Sequence, residues 1–464
     1  MAGKQGVNRI AAYNILSTVV LNALSFLSSP IFSRMLGTQQ YGIITIYSTW
    51  ASFFLLLIGL QTTGTIGTAW ANLPKEKHSA YASSVMALSG LSFFAMLALV
   101  FVLRGPLSAA SELGSGILLL MTVHGFGTFC VNFLNAKLTF DFSAGKNFIL
   151  ALAMSVSTIG LSFLCMWFMP SDKLYLGRIL GMALPYCVMG LCIPLALWRA
   201  GRTLFQKEYW LFCLPLCIPL IFHGIAGIIQ SQSDRIMLQK MMDNSVVGIY
   251  GLAYAFANVL ETVRYAFNNS WVPFYYDYTG RGEIEKMLCH ARNYLFLLTG
   301  LIMGFILLTP EVFHLYAGRA FWEGTRYIPV FAAGSFMMLL YTFPVNYEFY
   351  RRKTQHIAFA SIMAALANIG MNLWLIPLYG AMGAAVATLA SYVLLFVFHH
   401  CVAKYVLGGG YPFKVRIFLP YLTGVFAAAA AFYLLYDFWY LRWAMAAGVG
   451  VALVVRVYRN RALF

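Results

Sequence analysis

Long apolar segments, separated by short polar breaks, follow one another along this chain of 464 residues. Each is about 20 residues or longer, which lets an α-helix cross the roughly 30 Å hydrocarbon core of a bilayer. Strand-length alternation of apolar and polar residues is absent, so a membrane barrel is excluded. The pattern predicts about 14 transmembrane helices, over residues 10–34, 42–70, 79–103, 113–136, 147–169, 175–198, 210–236, 247–275, 288–309, 325–349, 355–376, 380–404, 415–436 and 438–457.

Composition supports an all-α integral membrane protein. Hydrophobic residues make up 61% of the chain and charged residues only 10%, whereas soluble domains carry roughly 25% charged residues. If the N-terminus lies in the cytoplasm, about two thirds of all Lys and Arg residues fall on the cytoplasmic side. The distribution predicts a multi-pass protein of the cytoplasmic membrane with both termini inside. Anionic lipid accounts for the net charge of +16, so no nucleic-acid partner is expected.

Two breaks of the pattern are similar to each other. Residues 34–42 read RMLGTQQYG and residues 240–248 read KMMDNSVVG, each with a basic residue eight positions before a glycine. The same offset carries Gly177 onto Gly383, and each of these lies just past a proline that ends a span. Such symmetry predicts two parallel repeats of six helices. The predicted domains are an N-terminal lobe, a C-terminal lobe and two additional helices, over residues 1–205, 206–405 and 406–464.

These motifs, together with PLYGAMGAA at residues 377–385, resemble the Wzx-type polysaccharide flippases of the multidrug/oligosaccharidyl-lipid/polysaccharide exporter superfamily. The resemblance covers nearly the whole chain. It implies two six-helix lobes around a central cavity, here with two extra C-terminal helices. It also implies transport of an undecaprenyl-pyrophosphate-linked oligosaccharide from the inner to the outer leaflet by alternating access. A lipid II-type flippase and an ion-coupled antiporter for organic cations are the alternatives within the superfamily.

Glu261 and Arg264 lie one helical turn apart in the middle of the eighth predicted span. An ionised Arg at the centre of a spanning helix costs roughly 3 kcal/mol, so it must face a partner or a wet cavity. Its guanidinium suits the oxygens of a pyrophosphate, and Glu261 then serves as counter-ion or as a site for a coupling cation. The alternative is a local ion pair that only stabilises the helix. A cation antiporter needs acidic cavity residues, and Glu261 is the only clearly central acid that we identify.

Further polar side chains interrupt spans one, two, seven and eight, which we expect to line the cavity because polar groups avoid lipid. For the hydroxyl residues beside the two asparagines of the first span, close helix packing is an equal alternative. For the histidine, a packing role is the alternative. The additional candidate substrate-binding residues are Asn14, Asn22, Gln61, His223, Gln230, Asn258 and Asn268.

Enzyme functions are disfavoured. The chain has no phosphate-cradling glycine loop and no metal-ligand spacing, and its predicted outer loops are short. The sequence therefore predicts a transporter without catalytic residues, metal or cofactor. Its expected partners are the lipid-linked oligosaccharide, membrane lipid, a coupling cation (H⁺ or Na⁺) and a polysaccharide polymerase.

Overall fold

The computed structural model describes residues 4–353, 355–408 and 410–459, with the backbone alone for residues 4–23 and Ser25. Within these ranges the chain is helical and contains no β-strand. Its α-helices are α1 (Lys4–Gly59), α2 (Ile66–Asn72), α3 (Lys75–Val102), α4 (Arg104–Ser111), α5 (Ser115–Phe140), α6 (Ala144–Trp167), α7 (Leu174–Gly201), α8 (Lys207–Met241), α9 (Asn244–Ala257), α10 (Val259–Arg281), α11 (Ile284–Tyr316), α12 (Ile328–Tyr350), α13 (Gln355–Cys401), α14 (Val415–Leu434) and α15 (Trp439–Arg459).

Twelve helical segments of the described chain are long and apolar enough to cross a membrane. Two of them are too long for one crossing: α1 has 56 residues and α13 has 47, about 84 Å and 70 Å at 1.5 Å per residue. Each is interrupted once, by Gly37 (φ 66°) and by Gly380 (φ 57°), in a backbone conformation that favours glycine. Dividing both helices there gives 14 crossings, so the predicted all-α membrane fold is confirmed.

The second predicted span, residues 42–70, is not one continuous helix. Helix α1 ends at Gly59, and Leu60 and Gln61 follow with φ values of 48° and 56°. A 3₁₀ turn, Thr62–Thr65, then leads into α2. The Thr62 hydroxyl donates to the Gly59 carbonyl at 2.8 Å, because threonine side chains compete for backbone groups that would otherwise continue a helix.

The eighth predicted span is also divided. Helix α9 ends at Ala257, and α10 begins at Val259 after the single turn residue Asn258. The amide of Glu261 donates to the Asn258 carbonyl at 3.1 Å, which tightens the backbone at the junction. Hydrophobic periodicity continues across Asn258, so it gives no sign of this local break.

The chain packs as two compact units, one up to Gln239 and one from Lys240 onward. Helix α8 therefore contributes to the first unit, where the Trp210 indole donates to the Ser84 carbonyl at 3.1 Å. In the second unit α15 is held to α11 by Arg442, which is 1% exposed. Its guanidinium donates to Glu311 at 2.5 Å and to the Leu307 carbonyl at 2.9 Å. The predicted boundaries at residues 205/206 and 405/406 remain predictions.

The two similar sequence breaks have different local structures. In the first, the Gln40 side chain accepts from the Tyr175 amide and donates to the Ser171 carbonyl, both at 2.8 Å, and so ties α1 to the start of α7. In the second, Asp243 caps α9 by accepting from the amides of Ser245 and Val246 at 2.6 and 2.9 Å. Each break therefore satisfies backbone groups that a helix end leaves unpaired.

Glycines let α5 and α7 approach closely in the first unit. A Cβ on Gly127 would overlap the backbone carbonyl of Tyr186 and lie 3.1 Å from the Cys187 nitrogen. Opposite it is Gly190, whose own Cβ would lie 3.1 Å from the Gly127 Cα. Small residues at such crossings allow the backbone approach on which association of membrane helices depends.

We predict that Gly127→Ala destabilises the first unit by about 1–3 kcal/mol, because overpacking at a backbone contact cannot be relieved by a rotamer change. Gly160→Ala is the matched control, since a Cβ there meets nothing within 4 Å and Ala is the better helix former by about 1 kcal/mol. Thermal unfolding of the purified proteins in one detergent measures both. Equal melting temperatures for Gly127→Ala and the wild type would contradict the packing account.

Candidate functional site

The first unit contains a cavity of about 540 Å³, with a mostly apolar wall that also carries several polar side chains. It is open on one side and is lined by α1, α5, α8 and the segment after α1. Its polar lining residues are Ser52, Gln61, Thr63, Asn132 and Asn135. None of these side chains is charged, so the cavity offers hydroxyl and amide groups that both donate and accept hydrogen bonds.

Helix α8 approaches α1 closely at this cavity because it has a glycine there. A Cβ on Gly224 would lie 2.6 Å from the Gln61 amide nitrogen and 2.5 Å from a methyl carbon of Leu56. About two turns further on, the Gln232 side chain donates to the Ser52 hydroxyl at 3.3 Å. The left-handed backbone at Gln61 ends α1 and places this amide in the cavity lining.

Asn132 and Asn135 are functional candidates that we did not identify from the sequence. They lie three residues apart on α5, so their side chains share one face of the helix. The Asn135 Oδ1 atom is buried and has no hydrogen-bond partner, which is costly in apolar surroundings. The sequence does contain a signal for them, namely two asparagines inside an apolar span. The same feature identified Asn14 and Asn22.

Glu261 and Arg264 form an ion pair within α10, as their spacing predicts. Arg264 is 8% exposed, and its Nη2 and Nε atoms donate to the same Glu261 oxygen at 2.6 and 2.8 Å. The guanidinium also lies 4.3 Å from the ring centre of Tyr265, a cation–π distance. Both guanidinium bonds go to the single oxygen Glu261 Oε2, so the pair lacks the bidentate pairing of two nitrogens with two oxygens.

A small crevice in the second unit lies beside this ion pair. Asn258 and Glu261 line it from the α9–α10 junction, Ser335 from α12 and Thr388 from α13. Its volume is about 20 Å³, which is room for roughly one water molecule. In this conformation the crevice is too small for a sugar, so Glu261 faces a polar space of the size of a water or a small cation.

The other predicted residues lie in different surroundings. Asn268, one turn beyond Arg264, accepts from the Asn346 amide of α12 at 3.0 Å. Gln230 is 7% exposed, and its amide nitrogen has no partner. His223 is exposed and does not line the cavity next to Gly224. Asn14 and Asn22 fall among the residues whose side chains the structure does not describe.

Two acidic side chains besides Glu261 are buried within the described structure. Asp234 in α8 is 1% exposed and Glu348 in α12 is 0% exposed. Glu348 lies two residues before the end of its helix and next to a cluster of aromatic residues in sequence, where an acidic side chain usually marks a helix end in water. Tertiary packing buries Glu348, and the pattern of apolar and polar residues along the sequence does not predict that packing.

Comparison with known proteins agrees with the fold. The family model for polysaccharide biosynthesis proteins matches residues 8–277. An uncharacterized membrane protein of Haemophilus influenzae is 25% identical over 364 residues, which cover 74% of this chain and 84% of that protein.

Solved structures with a similar fold include two transporters. The lipid II flippase MurJ, in an inward closed conformation, superposes with a TM-score of 0.76 over 97% of this chain and 100% of its own, at 14% identity. An inward-facing multidrug resistance MATE transporter of the MOP superfamily superposes with a TM-score of 0.64 over 83% and 94%, at 12% identity. At these identities the similarity concerns the fold.

We predict that Gly224→Val closes the cavity of the first unit, because the added methyl groups occupy the space of Gln61 and Leu56. Gly227→Val on the same helix is the matched control, since a Cβ there meets nothing within 4 Å. The measurement is the rate at which N-ethylmaleimide modifies an Asn132→Cys probe in a chain without its native cysteines. The rate should fall several-fold with Gly224→Val only; an equal fall in both variants would contradict this geometry.

Proposed function

The chain belongs to the polysaccharide biosynthesis protein family of membrane transporters, and we propose that it moves an undecaprenyl-pyrophosphate-linked oligosaccharide from the inner to the outer leaflet of the cytoplasmic membrane. In this proposal it works by alternating access and supplies capsular polysaccharide, exopolysaccharide or a related cell-surface glycan. Both termini lie in the cytoplasm, as the basic residues predict.

The observation that carries the proposal is the buried Arg264, within a helix that is otherwise suited to the membrane. A guanidinium fork matches the oxygens of a pyrophosphate, and its attraction to them is stronger where water is excluded. Its present partner is one oxygen of Glu261. A doubly charged pyrophosphate group offers more acceptors than this single oxygen, so the substrate can replace the ion pair.

The cavity of the first unit carries groups that suit the sugar part of the substrate. Its hydroxyl and amide groups at Ser52, Gln61 and Asn132 suit the neutral, hydroxyl-rich surface of an oligosaccharide. A volume of about 540 Å³ lies within the range of small-molecule sites, about 300–1,000 Å³. We propose that these groups of the first unit bind the sugar part of the substrate.

In this proposal, the energy for transport comes from an ion gradient or from consumption of the transported lipid-linked sugar. The sequence has no phosphate-cradling glycine loop of the kind that binds nucleotides. When a pyrophosphate takes over Arg264, Glu261 loses its partner and becomes free to bind a cation. Release of the substrate restores the ion pair and displaces the cation, so binding of the substrate and binding of the cation favour each other.

Two other transport functions are alternatives in the superfamily. A lipid II-type flippase fits the same site, since lipid II also joins a sugar to undecaprenyl pyrophosphate, and MurJ has a similar fold. An organic-cation antiporter would use Glu261 and leave Arg264 repelling its substrate. The charge of the transported molecule therefore distinguishes the flippases, which carry an anion, from the antiporter, which carries a cation.

The direct test is the amount and sidedness of undecaprenyl-linked oligosaccharide in cells that lack the protein. The proposal predicts accumulation in the inner leaflet, relieved by the wild-type gene. Accumulation of lipid II instead would assign the lipid II-type function. Normal amounts of both lipids, with lost resistance to toxic cations, would contradict the flippase and support the antiporter.

We further predict that Arg264→Ala lowers transport of the lipid-linked sugar about tenfold or more without lowering the amount of protein in the membrane, since a hydrogen bond to a charged group contributes about 1.5–3 kcal/mol. Arg281→Ala is the matched control: Arg281 lies on the same helix and pairs with Asp277 at 3.0 Å, but its side chain is 65% exposed. Normal transport by Arg264→Ala would reduce the Glu261–Arg264 pair to a support for its helix.

A further inference from the structure

A groove on the surface of the first unit runs between α5 and α6. Its volume is about 660 Å³, and it is open on one side. Both helices pack more extensively against α7 than against each other, so α7 forms the floor of the groove. The lining consists mainly of leucine, isoleucine, methionine and alanine side chains. The substrate contacts proposed above do not use this groove.

A close helix contact ends the groove toward the C-terminal end of α6. A Cβ on Gly181 of α7 would overlap the backbone of Ser162, so the two helices touch at this point. Leu161, next to the contact, is the last α6 residue of the lining, and on α7 the lining starts at Pro185, one turn after Gly181. Toward the start of α6, the small side chain of Ala153 leaves the space between the helices unfilled.

One cation lies at the other end of the groove. Lys146, in the first turn of α6, lines the groove and is exposed. Its ammonium group has no ion-pair partner within the part of the chain that the structure describes. The acid nearest to it in sequence, Asp141, pairs with Lys137 at 2.6 Å and accepts from the Trp70 indole at 2.8 Å. The groove therefore combines an apolar wall with one uncompensated positive charge at its end.

The length of the groove corresponds to one leaflet of a bilayer. Its α6 lining extends from Lys146 to Leu161, about 22 Å along the helix at 1.5 Å per residue. Half of a bilayer, headgroups included, is about 20–22 Å thick. The acyl chain of a phospholipid occupies one leaflet and so fits this length, whereas an undecaprenyl chain is far longer. The predicted orientation places Lys146 at the inner leaflet, which carries anionic lipids.

We propose that the groove between α5 and α6 binds one anionic phospholipid of the inner leaflet. An acyl chain lies along the apolar lining, and the phosphate group lies at Lys146. Such a lipid also packs against the helix that forms one wall of the sugar cavity, because α5 presents Leu134 and Leu138 to the groove and Asn132 and Asn135 to the cavity. Lipid binding needs no transported substrate, so this proposal is independent of the transport function proposed above.

The charge requirement is tested with two lipids that have the same acyl chains, dioleoyl phosphatidylglycerol and dioleoyl phosphatidylcholine. Native mass spectrometry of the purified full chain measures the affinity for each. The wild type should bind phosphatidylglycerol about fivefold more tightly, the contribution of one Lys to an anionic lipid. Lys146→Gln should abolish this preference, and Lys146→Arg should keep it. Lys75→Gln is the matched control, since Lys75 is also exposed in the first turn of its helix but does not line the groove.

The acyl-chain requirement is tested by filling the groove. Ala153→Phe places a ring in the space of the chain and should weaken binding of both lipids several-fold; because Ala153 is exposed, the fold is retained. Val156→Phe is the control on the same helix, since Val156 is 56% exposed and lies outside the lining. Equal wild-type affinities for the two lipids would overturn the proposal. An equal loss of preference in Lys75→Gln and Lys146→Gln, or equal weakening in Val156→Phe and Ala153→Phe, would also overturn it.

The position of the lipid is measured with a phosphatidylglycerol that carries a photoreactive diazirine on one acyl chain. After illumination of liposomes that contain the full chain, peptide mapping should place the cross-links on residues 134–138 and 149–161. Cross-links spread evenly over the other helices would overturn the assignment. Displacement of the probe from the groove by undecaprenyl phosphate would also overturn it, because the groove would then hold the chain of the substrate.

Discussion

The bilayer provides no water to the middle of a helix, and every polar group placed there must find a partner within the protein. That constraint identifies the polar residues of this chain that need a structural or functional explanation. Most of the apolar sequence can face lipid without consequence. The charged pair Glu261–Arg264, the pair Glu348–His399 and the amides around Gln61 are different, because each needs the protein to hold it away from hydrocarbon.

The same constraint explains how the structure is held together. Without a hydrophobic difference between lipid and helix surfaces, close packing and hydrogen bonds drive association. Gly127 and Gly190 let α5 and α7 meet at backbone distance. Arg442 anchors α15 to α11 through the Glu311 carboxylate and the Leu307 carbonyl, and it also donates to the Leu435 carbonyl just after α14. At Gly224 the same device brings α8 against the end of α1, where it helps to form a cavity lined by hydroxyl and amide groups.

Hydrophobic periodicity predicts the helical membrane fold and its number of crossings, because the length of an apolar segment can be compared directly with the thickness of a bilayer. It also identifies Arg264 and Glu261, since a charge within such a segment stands out. Periodicity does not detect the break at Asn258 or the turn after Gly59, where local hydrogen bonds compete with the helix. Nor does it show that Glu348 is buried against His399, since 51 residues separate the two and only packing brings them together.

The central claim is that Arg264 is buried in this helix in order to hold a pyrophosphate. Its most direct test is the affinity of the purified protein for undecaprenyl pyrophosphate, measured by native mass spectrometry for the wild type and for Arg264→Gln. The account predicts that the wild type binds the lipid and that the variant binds it about tenfold more weakly, the loss of roughly one charge-assisted hydrogen bond. Equal affinities, or no binding by the wild type, would contradict it.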